Sequence, residues 1–332
     1  MGNKIFSWLV YVLAAWSCVC FEYVAAQELG PNGPIAGSSF ERRAVKDSNA
    51  RNITYYISRP KSLSAPIMLV IQGSGCRPVL TVQNDKVSSS IFNLEKFARE
   101  GKFAVVAVEK PFSGAGAQSG YAQGCSEAFN ADFTAESWGR ALQAALNDAR
   151  KMAWVDRRRT LVLGSSEGAV MASVVAANDP TVTDVVFISG SGTTQLFDFI
   201  ADAYRNCFDA SACLTNVEKN VAAIKATPTS STQFAWGHPH KRWSSFFAID
   251  PGELLLKSNA RVYIAIGTAD EAVPAISQEL AATKLLLGGR DVTVRRVLDG
   301  THSLNRRGAL NWDELDRELD TALDWFSRAR AR

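Results

Sequence analysis

Gly164-Ser165-Ser166-Glu167-Gly168 spells G-x-S-x-G between the apolar run "RTLVLG" and the small-residue run "GAVMASVVAA". With a strand before it and a helix after it, such a turn can present one hydroxyl on a sharp corner, the glycines letting the backbone pass close to its neighbours. The same serine stands at a helix N-terminus, where free N–H groups favour developing negative charge. Ser166 is therefore the candidate nucleophile. A hydroxyl at neutral pH needs a base, and the base needs an acid to orient it. The chain holds three histidines. His302, in "LDGTHSLN", falls after the last predicted strand and before the last helix, whereas His238 and His240 lie in a segment that breaks the rhythm of the elements. Asp270, in "IAIGTADEAVP", follows a buried strand and completes the chain order Ser, Asp, His that this chemistry uses. Glu271 and Asp299 are the fallback acids, Asp299 being near enough to His302 to shape that loop instead.

Acyl-transfer chemistry at Ser166 also needs two donors for a tetrahedral oxyanion. One is the backbone N–H of Glu167, the residue after the nucleophile. The other is expected at Ser74 or Gly75, in the "QGSGC" turn that ends the apolar run "APIMLVIQ".

These residues require a scaffold, and the pattern supplies one. "NITYYIS" reads as a half-exposed strand; "APIMLVIQ", "FAVVAVE", "RTLVLG", "DVVFIS" and "RVYIAIG" are short apolar runs of the kind buried on both faces of a parallel sheet. "VTVRRVL" alternates like an edge strand. Helical spacing appears over residues 88–100, over 132–152 with Trp138, Leu142 and Leu146 near one face, and in the closing "NWDELDRELDTALDWFSRA". Strand and helix alternate throughout, so the expected fold is α/β, a mostly parallel sheet with helices on both faces. A glycine-rich loop, "PFSGAGAQSGYAQGC", is too long for a plain connector and is expected to line something. The core is assigned to residues 27–190 and 260–332. Residues 191–259 form a cap-like insertion, in which Trp236, His238 and Trp243 are candidate walls of a substrate pocket.

The N-terminus differs from all that follows. Lys4 precedes an apolar run from Ile5 to Phe21, followed by Val24, Ala25 and Ala26, the layout of a secretory signal over residues 1–26. An uncleaved membrane anchor is the alternative, the run being close to the ~17-residue lower limit for a span. Export makes the chain periplasmic or secreted and suits disulfides. Cys76, Cys125, Cys207 and Cys213 then make an even set with two bridges expected; Cys207 and Cys213 could close a small loop, but four cysteines allow three connectivities.

The 332 residues are 47% hydrophobic and 21% charged, with a net charge of +3 and scattered basic residues, so a nucleic-acid partner is not expected. No metal-ligand spacing is present.

From about Asn52 to its end the chain resembles an α/β-hydrolase. "WVDRRRTLVLGSSEGAVMAS" is similar to the D-x-x-R-hydrophobic-G-x-S-x-G-G run of the dienelactone hydrolase and prolyl oligopeptidase-like branch, and "GTADEAVP" and "GTHSL" resemble its acid and histidine loops. The resemblance implies an eight-stranded sheet, a Ser166, Asp270, His302 triad and no cofactor. Gln72 stands where a histidine is frequent, Ala169 stands where a second glycine is frequent, and the insertion matches no assigned cap. The expected activity is that of an exported serine hydrolase cleaving a small-molecule ester. Ester cleavage is expected over peptide cleavage because no propeller or other gating domain precedes the core. Peptide or amide cleavage, acyl transfer on the same triad, or a non-catalytic ligand-binding protein of the same fold are the alternatives.

Overall fold

The apolar runs become the middle of one large sheet. The computed structural model describes residues 32–83, 86–113, 124–308 and 313–328. The expected signal segment, 1–26, lies outside the described residues, as does most of the glycine-rich loop. The strands are β1 (Gly33–Pro34), β2 (Phe40–Lys46), β3 (Asn52–Ser58), β4 (Ala65–Ile71), β5 (Leu80–Gln83), β6 (Lys86–Ser89), β7 (Ala104–Val108), β8 (Val155–Ser165), β9 (Asp184–Ile188), β10 (Phe234–Ala235), β11 (His238–Pro239), β12 (Arg261–Gly267) and β13 (Val292–Val297). The helices are α1 (Leu94–Glu100), α2 (Glu127–Asp132), α3 (Ala135–Ala149), α4 (Glu167–Asn178), α5 (Gln195–Asn206), α6 (Ala210–Ala226), α7 (His240–Phe246), α8 (Pro251–Lys257), α9 (Ala275–Leu287) and α10 (Asp313–Ser327).

The main sheet runs β1-β2-β3-β7-β4-β8-β9-β12-β13. From β7 to β13 every pairing is parallel, and β1, β2 and β3 complete one edge antiparallel. The fold class is thus the expected mostly parallel α/β sheet. Its strand count is nine where eight were expected, because the two-residue β1 pairs Gly33 with Arg42 and Pro34 with Glu41 beyond β2. A proline is tolerated there because an edge residue need not donate inward.

Strand side chains alternate between two cores. Ile67, Leu69 and Ile71 of β4 face a layer holding Trp138, Leu142, Leu146 and Met171, whereas Met68 and Val70 face Leu94, Phe97, Leu315, Leu319 and Phe326. Each such buried side chain contributes about 1.5–3 kcal/mol relative to exposure. Two helices are shorter than their spacing suggests. Ser88 and Ser89 pair in the β5–β6 hairpin, so α1 starts only at Leu94. The run over 132–152 divides at Thr134, whose side chain accepts from Ser137 N in a reciprocal capping box and so starts α3 at Ala135.

Between β9 and β12 come α5, α6, the β10–β11 hairpin, α7 and α8. The last of these, α8, packs against α4 and α9 in the helical layer of the sheet. Disulfides join Cys76 to Cys125 and Cys207 to Cys213. Among the described residues no helix is long and apolar enough to cross a membrane.

Candidate active site

Ser166 occupies the corner between β8 and α4 with φ 59° and ψ −127°, a conformation that L-residues rarely hold and that persists only where the surroundings enforce it. They do. A Cβ on Gly164 would stand 2.1 Å from Gly168 O, and one on Gly168 would stand 2.3 Å from Ile71 O, so both flanks of the corner must be glycine. Ser166 N donates to Ile188 O at the end of β9 (2.9 Å), tying the corner to the next strand. Glu167 is the first residue of α4 and places its amide at the positive end of that helix.

Asp270 sits in the loop after β12 and is buried, with Oδ1 accepting from Ala272 N and Val273 N, 2.8 Å each. His302, in the loop after β13, brings Nδ1 to 3.0 Å from both Asp270 oxygens. The two loops touch closely: a Cβ on Gly267 would lie 2.4 Å from Thr301 O. Burial pulls the His302 pKa down, but the hydrogen bond and charge of Asp270, with the charge of Glu271, outweigh it and leave the imidazole above its ordinary value. Of the fallback acids, Glu271 accepts the backbone N–H of His302 (3.1 Å), and Asp299 is exposed in the turn after β13, where its N–H donates to Thr268 Oγ1.

Ser166 and His302 line two cavities together. One, of about 320 Å³, is walled by Gln72, Gly73, Ser74, Phe92, Leu315 and Leu319. The other, of about 660 Å³, is walled by Ser74, Asp198, Phe199, Trp236, His238 and Trp243. The aromatic cluster expected from sequence thus reaches the same space as Ser166: Trp236 stacks on Phe199 at 4.1 Å, and His238 packs edge-on to Trp243. His240 pairs with Thr227 Oγ1 (2.8 Å) and lines neither cavity.

Behind the corner lies a set of charges that the sequence reading missed. Lys110, two residues beyond the end of β7, is fully buried and donates to Gly73 O (2.6 Å), Gly75 O (3.0 Å) and Glu167 Oε1 (2.8 Å). Arg242 of α7 donates to Glu167 Oε2 (2.7 Å) and Gln195 Oε1 (2.8 Å), and lies over the rings of Trp243 and Phe246. Burial would raise the Glu167 pKa, but the charges of Lys110 and Arg242 and the Lys110 hydrogen bond hold it down to about 2. Burial, aided by Arg242, pushes His238 down to about 3, so this imidazole is neutral. Asp198 is raised to about 6 by burial and is bonded to Ser191. One signal of this cluster was available: "AVVAVEK" puts a glutamate and a lysine directly after an apolar strand, and the corner carries a glutamate between two small residues. Among the described residues no group of three or more His, Cys, Asp or Glu could hold a metal ion.

No protein-family model matches the sequence, and no curated protein does. Solved structures match the fold. The acylaminoacyl peptidase of Pyrococcus horikoshii superposes with TM-score 0.60 at 14% identity over 88% of this chain, which spans only 42% of the peptidase. A Klebsiella pneumoniae protein described as a dienelactone hydrolase gives TM-score 0.57 at 15% identity, covering 88% of this chain and 100% of its own. Est1E from Butyrivibrio proteoclasticus gives 0.54 at 14% identity, covering 85% and 99%. The chain has the α/β-hydrolase fold. Proteins of this fold that it resembles include an acylaminoacyl peptidase, a protein described as a dienelactone hydrolase, and Est1E.

Proposed function

We propose that this chain is an exported serine hydrolase that cleaves small-molecule carboxylic esters with Ser166, His302 and Asp270. The observation that carries the reading is the strained Ser166 corner sharing its cavities with an imidazole held by a buried carboxylate. His302 takes the Ser166 proton as Oγ attacks the ester carbonyl, and Asp270 holds Nδ1–H and steadies the imidazolium. The tetrahedral oxyanion is met by the Glu167 N–H and by an N–H of the Ser74–Gly75 turn. Collapse expels the alcohol, protonated by His302; water then attacks the acyl-enzyme with the same base and releases the acid. The two cavities give the acyl and alcohol parts separate room, with Trp236, His238 and Trp243 on one of them. Two disulfides fit an oxidising compartment. Ester rather than peptide substrates are in keeping with the likeness to a protein described as a dienelactone hydrolase.

A fluorophosphonate probe, located by peptide mapping, tests the nucleophile without knowledge of the substrate. Label on Ser166, and a loss of at least ~1,000-fold in turnover of short-chain p-nitrophenyl esters by Ser166→Ala, are the expected results. An alanine variant with unchanged turnover overturns the assignment.

A further inference from the structure

We propose that Lys110 is a positioning residue that sets the oxyanion pocket, and that the pocket's second donor is the N–H of Ser74 rather than that of Gly75. This rests on the serine hydrolase reading. An ammonium has three donors and no acceptor, and Lys110 uses all three at once, on Gly73 O, Gly75 O and Glu167 Oε1. Those partners belong to the two segments that supply the oxyanion donors, the turn after β4 and the first residue of α4. One buried side chain therefore fixes the two segments relative to each other.

The geometry also discriminates between the donors. In a trans peptide the C=O and the following N–H point in opposite directions. Drawing Gly73 O toward Lys110 turns the Ser74 N–H away from the lysine. Ser74 lines both cavities with Ser166, and the Gly73 main chain passes close enough that a Cβ there would lie 3.8 Å from Ser166 Cβ. The N–H of Gly75 shares its peptide plane with Ser74 O, which Lys110 does not hold.

Charge supports the same arrangement. The Glu167 carboxylate is one residue from Ser166 and, left loose, would oppose a developing oxyanion. Lys110 and Arg242 take one oxygen each, so both oxygens are held by a cation beneath the corner, while His238 is uncharged. Buried ion pairs are poor stabilisers compared with apolar side chains of the same volume, so their presence here points to a role in positioning.

The test compares Lys110→Met, Ser74→Pro and Ser166→Ala on p-nitrophenyl acetate, with thermal unfolding to confirm the folded state. Lys110→Met is expected to lower kcat about 100-fold with KM within about threefold, the scale of one misplaced oxyanion donor. Affinity for a trifluoromethyl ketone should weaken in parallel with kcat/KM. Ser74→Pro, which deletes the N–H at an exposed position, should lower kcat by a similar factor. If Lys110→Met does not fold, Lys110→Gln takes its place with the same expectations. A folded Lys110 variant with wild-type kcat, or one changed only in KM, overturns the role of Lys110. A fully active Ser74→Pro overturns the choice of donor. An active Ser166→Ala instead sinks the serine hydrolase reading, which separates the two failures.

Discussion

His302 Nδ1 stands 3.0 Å from each oxygen of Asp270, and Asp270 Oδ1 also accepts two main-chain N–H groups. The carboxylate is thereby fixed before the imidazole meets it. Because Asp270 and Glu271 outweigh burial and raise the His302 pKa, kcat/KM should rise with pH through a value above the ordinary 6.5, as His302 loses its proton and becomes a base. The same sign makes this pairing stabilise the fold below that ordinary value and lose its contribution as pH climbs through the raised one. Asp270→Asn should cut kcat about 10⁴-fold, since an amide favours the wrong tautomer, and should move the acid limb to lower pH. A pH–rate profile of ester hydrolysis measures both; an unmoved limb with retained kcat contradicts the pairing's role.

Gly168→Ala puts a methyl 2.3 Å from Ile71 O and 3.0 Å from Gln72 O, both backbone atoms at the start of the turn that carries Ser74. The expected outcome is a loss of about 1–3 kcal/mol in urea unfolding, typical of overpacking, together with at least a tenfold fall in kcat. Gly139→Ala serves as the contrast. Its Cβ would lie 3.6 Å from Val174 in ordinary contact inside α3, so stability should rise by about 0.5–1 kcal/mol with activity kept.

Local signals carried most of the fold and the positions of Ser166, Asp270 and His302. A buried parallel strand is an uninterrupted apolar run, and β4, β7, β9 and β12 each read that way. β2 did not, because four of the seven residues in "FERRAVK" are charged and only Phe40 is buried. In β8 the triplet Arg157 to Arg159 falls where the pairing jumps from Asp156 to Thr160, so the strand runs longer than its apolar part. Lys110, Glu167 and Arg242 are 57 and 75 residues apart, and no local periodicity records that they share one buried point. Their partnership is a property of the assembled sheet and of α7 packed across it.

The two disulfides should differ in weight. Cys76–Cys125 closes 49 residues and Cys207–Cys213 closes 6. On the chain-entropy account these are worth about 4 and about 2 kcal/mol, in that order. Cys76→Ser with Cys125→Ser should therefore lower stability more than Cys207→Ser with Cys213→Ser, as read by urea unfolding. The first pair should also lower ester turnover, since Cys76 adjoins Gly75 and anchors the turn that Lys110 holds. Equal losses from the two pairs would show that native-state strain, and not loop length, sets their contributions.

Glu109, one residue before Lys110, supplies a stability change with a definite sign. Its carboxylate accepts from Val79 N (3.0 Å) and Tyr56 Oη (3.1 Å), yet burial outweighs these bonds and raises its pKa to about 7. The unfolded value is near 4.5, so the folded state holds the proton more tightly. Stability from this group is fully present below pH 4.5 and is lost as pH rises through 7. At 1.36 kcal/mol per unit the loss is on the order of 3 kcal/mol between pH 4 and pH 8. Glu109→Gln keeps an acceptor for Val79 and cannot ionise, so its stability should fall less than that of the wild type over this range. Urea unfolding of both proteins at half-unit pH steps gives the difference directly. Parallel curves would mean that Glu109 is ionised at neutral pH in the folded state, with Lys110 balancing its charge.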